Sequence, residues 1–332
     1  MRTSAITALV LSACLMNTAP LTGQAAAAET AQAIVVREGK PQLQALPRPT
    51  PGPGQVVVHV RAAGVNPADW KRAEGGRSAA GVPPGWDIAG DISAVGPGVN
   101  TWKVGDPVIG FFEAVGGYTQ YALIGTDMIA RKPARMSYEE ASGIPLVAIT
   151  AYKALIDVAG LRQGQKVLIH GGAGGVGSAA VQIAVARGAY VIATASEKNH
   201  AYVKSIGAKE AIDYNTVKFE ERVKDADIAL NTVDEETARR SLATLKPNGF
   251  MATVAGAVPR EQCAAAGLRC GSPDRKTGTP IGQILAEIGR LADAGKFSLN
   301  VEARFPLDQV AQAWALSKAG HTRGKIVLIL PP

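Results

Sequence analysis

The chain has 332 residues, is 47% hydrophobic and 19% charged, and carries a formal net charge of +7. That length fits about two domains, and that balance excludes a disordered chain. Three cysteines and four histidines argue against a zinc-rich scaffold, and lysines and arginines scattered among acids, without a basic run or interleaved aromatics, argue against nucleic acid and for a solvated basic surface or an anionic-ligand pocket.

Residues 1–28 read as a signal peptide. Arg2 starts it, residues 5–16 are apolar, and residues 24–28 offer Ala-x-Ala cleavage sites ahead of Glu29. Export would place the mature chain in the periplasm. Two other readings stay open: a lipoprotein signal at Cys14 after Leu11-Ser12-Ala13, and translation from Met16, which gives a cytoplasmic protein. The apolar run is too short to span a membrane, and no later stretch has eighteen consecutive apolar residues, so no integral membrane segment is expected in the mature chain. Cys263 and Cys270 then remain, as a small disulfide loop or as two free thiols.

Residues 33–36 predict an opening strand, 47–54 a Pro/Gly linker, 56–60 a strand and 64–69 (GVNPAD) the turn after it. Strands continue at 87–95, 107–112 and 119–124. Together they make a compact, mostly β domain. The character changes near residue 137, where Ser137 and Glu140 match a capping box, and 150–158 continues as a helix. Strand runs at 166–170, 190–194, 226–230 and 250–254 then alternate with helical patterns at 178–186 and 236–245. This alternation predicts a parallel sheet covered by helices. A helix over 281–294 leads to last strands ending at 325–330, which either edge that sheet or complete the first domain.

The strongest chemical signal is HGGAGGVGS, residues 170–178. Gly172, Gly174 and Gly177 form G-x-G-x-x-G between a strand and a helix, with Gly175 and Val176 inside it. The first glycine is expected to make the tight turn, the second to let backbone approach a pyrophosphate, and the third to pack helix on strand. The helix N-terminus offers free N–H groups to phosphate. The next strand ends Ala195-Ser196-Glu197-Lys198. An NAD site wants a carboxylate near Ala195; here Ser196 and Lys198 suit a 2′-phosphate, so NADP(H) is preferred, with Glu197 as the opposing feature.

Several separated motifs, AGVNPADW (63–70), PPGWDIAGDISAVGPGV (83–99), VGDPV (104–108), GGYTQYA (116–122), TAYKAL (150–155), the glycine turn and HTRGKIVL (321–328), make the chain resemble a zinc-independent medium-chain dehydrogenase/reductase of the quinone oxidoreductase (zeta-crystallin-like) type. The likeness runs over nearly all of residues 31–330. It implies an α/β fold with a GroES-like catalytic domain (31–148 and 280–332) and a Rossmann NAD(P)-binding domain (149–279), a cleft between them, and a homodimer. It implies NADPH-dependent hydride transfer to a small-molecule quinone, enone or other activated C=C or C=O group. By position it assigns Asn66 and Thr150 to the nicotinamide, Tyr214 to the adenosine 2′-phosphate, and Ala255 and Gly256 to the nicotinamide ribose. Asn231 and Thr232 depart from the usual Asp-Thr-Val-Gly of that family.

Zinc-dependent relatives carry Gly-His-Glu where this chain has Gly85-Trp86-Asp87, and a cysteine near Pro67. Three ligands are therefore lacking and a metal-free site is expected. His59, His170, His200 and His321 read as structural or surface residues. Without a metal, hydrogen bonds must polarise the substrate; Asn66 is the candidate for holding its oxygen and Tyr118, or water, for the proton. A metal-free aldehyde or ketone reductase and an exported binding module on the same fold are the competing readings.

Overall fold

The computed structural model describes residues 29–79, 81–256 and 260–331. The signal-peptide reading of residues 1–28, with Cys14 and Met16, lies outside them.

The chain opens with β1 (Thr30–Arg37) and β2 (Lys40–Pro47). They form an antiparallel hairpin closed by Glu38 and Gly39, at φ 50° and 73°. The second strand escapes sequence patterning because Pro41 and Pro47 suppress its strand signal. There follow β3 (Gln55–Val65), α1 (Pro67–Glu74), β4 (Asp87–Val95), β5 (Pro107–Phe111), β6 (Tyr121–Gly125) and β7 (Ile129–Arg131). The expected turn at 64–69 is instead a strand end and a helix start: Asn66 is the N-cap and Pro67 the first helical residue, where a missing N–H costs nothing.

The capping box at Ser137 is present and opens α2 (Tyr138–Ser142). Next is α3 (Pro145–Tyr152), buried on almost every side, as befits a helix enclosed by two sheets. The helix expected over 150–158 changes pitch at Lys153, and Lys153–Val158 is a π-turn. Then come β8 (Lys166–Ile169), α4 (Gly175–Ala186), β9 (Tyr190–Thr194), α5 (His200–Ser205), β10 (Glu210–Ile212), α6 (Phe219–Arg222), β11 (Ala226–Asn231), α7 (Glu235–Ser241), β12 (Leu245–Thr253), α8 (Arg260–Ala265) and β13 (Arg269–Gly271). The chain closes with α9 (Ile281–Asp293), β14 (Val301–Pro306), α10 (Val310–Ala319) and β15 (Lys325–Ile329).

Strands β8 to β13 make a six-stranded parallel sheet in the order β10-β9-β8-β11-β12-β13. That is the doubly wound dinucleotide-binding order. The other large sheet runs β14-β15-β3-β4-β5-β7, with β6 on β3. The last strands therefore join the first sheet: β15 lies antiparallel to β3, with Ile326 opposite Val65. One apolar cluster runs from Trp86, Ile109 and Phe111 through Ile144, Val147 and Ile149 of α3 to Val167 and Ile169 of β8. Both sheets thus share a core through α3, and the glycine turn and the buried polar residues described below meet at that seam. Cys263 and Cys270 form a disulfide, Cα–Cα 6.1 Å, that ties α8 to the edge strand β13.

Candidate active site between the two sheets

The glycine turn joins β8 to α4. Gly171, at φ 62°, makes the tight turn that the sequence spacing assigns to Gly172. Gly172 instead serves close packing, since a Cβ there would lie 2.8 Å from Ala193 Cβ on β9. A Cβ on Gly177 would lie 2.1 Å from the Gly171 carbonyl oxygen, so α4 starts directly on the turn. Gly174 is the N-cap, and its missing Cβ would meet only the Gly171 oxygen at 3.4 Å. Its outer face is open. The N–H groups of Gly175, Val176 and Gly177 begin α4 and have no acceptor within it. An open, side-chain-free cradle at a helix N-terminus fits a pyrophosphate.

His170, just before the turn, is buried. Its Nδ1 lies 3.2 Å from Thr194 Oγ1 and its Nε2 2.8 Å from Ser241 Oγ. Burial pushes its pKa down to about 3, so it is a neutral strut and not a ligand.

Beyond Thr194, Ala195 is buried, Ser196 half-buried, and Glu197 and Lys198 exposed. Ser196 Oγ accepts from Asn199 Nδ2 at 3.1 Å. Thr194 is level with Ile212 of β10, and Tyr214, two residues further on, is exposed in the turn that leaves β10. Arg323 is a further cation here that the sequence did not single out. It precedes Gly324, whose N–H donates to the Ala173 carbonyl at 2.9 Å, and its guanidinium lies 5.7 Å over the Tyr202 ring. The signal was present in HTRGKIVL, but only as a motif and not as a charge next to the turn.

At the other end of the cradle, Thr150 is half-buried on α3. Ala255 and Gly256 follow β12. Asn231 knits these strand ends: its Nδ2 donates to the Asp234 carbonyl at 2.8 Å, to Thr253 Oγ1 at 3.1 Å and to the Ala255 carbonyl, while its Oδ1 accepts from Val233 N at 3.0 Å. Gly256 has φ 71°, and a Cβ there would strike the Glu235 nitrogen at 2.5 Å.

Under the first sheet lies a buried polar network. Asn66 Nδ2 donates to Asp87 Oδ2 at 2.9 Å, and Asn66 N donates to Asp69 Oδ2 at 2.7 Å. Lys325 Nζ donates to Asn66 Oδ1 and, at 2.7 Å, to the Val65 carbonyl, and stands 3.8 Å from Asp87 Oδ2. Tyr118 OH donates to Asp69 Oδ2 at 2.7 Å. Asp87 Oδ1 accepts from Leu146 N at 2.9 Å, capping α3. Burial pushes Asp69 up to about 7 and Asp87 up to about 6, and pushes Lys325 down.

These two assemblies touch at Gly175, where a Cβ would lie 2.9 Å from Val147 Cγ1 and 3.2 Å from Lys325 Cδ. The structure therefore links Asn66 to the start of α4 through Lys325, with Asp87 on the same amide; the sequence selected neither Lys325 nor Asp87. Tyr118 is corrected. It is 0% exposed, with its hydroxyl on Asp69, so it cannot present a proton to substrate; it positions Asp69, which holds the Asn66 backbone. Among the described residues no three His, Cys, Asp or Glu side chains converge as a metal-ligand group.

Two families match the chain, "Alcohol dehydrogenase GroES-like domain" over residues 52–134 and "Zinc-binding dehydrogenase" over 206–328. The 2-methylene-furan-3-one reductase of Solanum lycopersicum is 31% identical over 82% of this chain and 71% of its own length. The spectinabilin polyketide synthase protein NorB of Streptomyces orinoci is 36% identical over 84% of this chain, which spans only 13% of that protein. The solved structure of CurK enoyl reductase superposes with a TM-score of 0.84 at 30% identity, covering 91% of this chain and 100% of that one.

Proposed function

The chain belongs to the medium-chain dehydrogenase/reductase family, in its quinone oxidoreductase-like branch, a family of NAD(P)H-dependent oxidoreductases, and on that premise we propose that it reduces a quinone, enone or related activated double bond with NADPH. The observation that carries this reading is the contact at Gly175 between an open pyrophosphate cradle and a buried hydrogen-bonding network. The names of the relatives, one an enone reductase and one an enoyl reductase, support the substrate class.

In this reading the N–H groups of residues 175–177 hold the pyrophosphate. Ser196, Lys198, Tyr214 and Arg323 face the adenosine 2′-phosphate, which needs cationic partners. Thr150, Ala255 and Gly256 border the nicotinamide. When bound, the reduced nicotinamide supplies a hydride to the electrophilic carbon of the acceptor. Asn66 holds the acceptor oxygen through the Nδ2 hydrogen that Asp87 does not take. Lys325 on Asn66 Oδ1 fixes the direction of that amide and polarises it. Water returns the proton, so one hydride and one proton are added to the acceptor. The reading is metal-free. The carboxylate of Asp87, at the position where zinc-dependent relatives carry Glu, is already taken by Asn66, Leu146 and Lys325. The same proposal includes a homodimer, for which β13, last in its sheet, supplies an edge; sedimentation tests it.

Calorimetric titration of residues 29–332 with NADPH and then NADH tests the cofactor, followed by NADPH oxidation in the presence of a quinone and an enone. The expected result is micromolar NADPH binding, much weaker NADH binding and turnover. Absence of binding of either nucleotide overturns the proposal and favours a non-catalytic module. Asn66→Ala is expected to lower kcat/KM about tenfold or more with NADPH affinity nearly intact; unchanged turnover removes Asn66 from the mechanism.

A further inference from the structure

The segment between β13 and α9 is fastened at both ends. At one end the Cys263–Cys270 disulfide fixes the edge strand. At the other, the buried Lys153 donates to the carbonyls of Thr277 and Thr279, and Asp157 accepts from Thr279 N at 2.9 Å and Thr279 Oγ1 at 2.7 Å. Between these anchors Arg275 crosses to the first sheet. Its guanidinium lies 4.4 Å from the Trp86 ring centroid and 5.7 Å from that of Phe111, and those two rings stack at 5.8 Å.

Among the described residues Arg275, although exposed, has neither a hydrogen-bond partner nor an ion pair. Glu113, Asp274 and Asp87 act on it only through longer-range attraction. Trp86, on the same stack, is 5% exposed, and its Nε1 is buried without an acceptor. A buried indole donor left so is costly, and a ligand acceptor would satisfy it. A guanidinium seated over an aromatic ring, with its N–H fork unspent, can take the two oxygens of a carboxylate.

The position separates this cation from the cofactor's phosphates. Ser196, Lys198 and Tyr214 lie at the β9–β10 half of the parallel sheet, whereas Arg275 leaves from β13, beyond β12. It reaches Trp86, the neighbour of Asp87 in the network that meets the glycine turn. We propose that Arg275, seated on Trp86, is a specificity-determining residue that selects acceptors carrying a carboxylate. This rests on the reductase reading and narrows it to anionic enones or quinones.

The test compares 4-oxopent-2-enoate with its methyl ester as acceptors for NADPH oxidation. The wild type is expected to favour the acid by about ten- to a hundredfold in kcat/KM, the range of one charge-assisted contact, mainly through KM. Arg275→Gln is expected to abolish that preference while the ester stays within about twofold, and Arg275→Lys to restore part of it. Equal use of acid and ester by the wild type, or an equal fall for both in Arg275→Gln, overturns the proposal and leaves the reductase reading standing. A second measurement reads the site without turnover: calorimetric binding of saturated 4-oxopentanoate in the presence of NADP+. If neither enone is reduced but 4-oxopentanoate binds the wild type and not Arg275→Gln, the reductase reading falls and the carboxylate site stands. No turnover and no Arg275-dependent binding overturns both.

Discussion

The glycine turn and the buried network abut at Gly175, yet they are built on opposite terms. The turn works by lacking side chains: residues 175–177 begin a helix with backbone N–H groups, and over Gly174 nothing lies closer than the Gly171 oxygen at 3.4 Å. The network works by buried side chains that pair mostly with one another, with Asn66, Asp69, Asp87, Tyr118 and Lys325 all nearly unexposed and, among the described residues, only Asp69 Oδ1 and the second Nδ2 hydrogen of Asn66 left unpaired. The difference teaches where each can be damaged. The turn fails by volume, and the network fails by charge.

The largest expected effect tests the network. Lys325→Met strips the cation from Asn66 Oδ1, the Val65 carbonyl and Asp87, and should cost about 3–5 kcal/mol, the usual result of breaking a buried ion pair from one side. Urea unfolding measures it; a loss below about 1 kcal/mol would show that the network carries little charge.

Next comes the turn. Gly177→Ala drives a methyl to 2.1 Å from the Gly171 oxygen and should cost about 3 kcal/mol, with loss of NADPH binding. Gly174→Ala meets nothing closer than 3.4 Å. It should change stability by less than about 1 kcal/mol while weakening NADPH at least about tenfold by filling the cradle. Equal destabilisation of the two variants would break the distinction between a packing glycine and a ligand-facing one.

The two regions should also titrate with opposite sign. The folded state raises Asp69 to about 7 and Asp87 to about 6 from 3.8. It therefore keeps protons that the unfolded chain releases, and this stability is present below pH 3.8 and lost as pH rises through about 6 and 7. His170 is lowered from 6.5 to about 3, so its contribution is present above pH 6.5 and lost as pH falls toward 3. Unfolding measured between pH 4 and 7 should show stability rising more steeply with pH in Asp69→Asn than in the wild type, and less steeply in His170→Gln. The same slope change in both would contradict the assignment.

The smallest effect is expected at the adenosine end. Lys198 is exposed, so Lys198→Ala should leave the melting temperature unchanged and weaken NADPH a few-fold, about 1 kcal/mol, with NADH unaffected. An equal loss for both nucleotides would remove the 2′-phosphate role.

What the sequence disclosed follows the same division. The turn is nine consecutive residues between a strand and a helix, and its chemistry is local, so spacing alone exposed it; only the choice between Gly171 and Gly172 needed backbone angles. Strands β8, β9, β11 and β12 were likewise visible as apolar runs, whereas β10, only three residues long, was not. The network is not local. Asn66 and Lys325 are 259 positions apart, and a lysine opening a terminal strand looks like any solvated lysine. Asp87 looked like half of a lost zinc motif, and Tyr118 like a proton donor, because burial depends on what β15 and α1 place over them. The state of Cys263 and Cys270 was open for a related reason: a separation of seven positions permits a bridge, but only α8 packed beside β13 brings the thiols together.

The bond from Lys325 to the Val65 carbonyl spans 260 positions, and Gly324 bridges to Gly174 across the seam. Strand β3 and the glycine turn are both synthesised before β15, and neither is braced until residues 324 and 325 are made. Contacts so distant in sequence close late and slowly. Until Lys325 is made, the chain has the glycine turn without the lysine that stands against it, so the seam between the two sheets closes only after both sheets are synthesised.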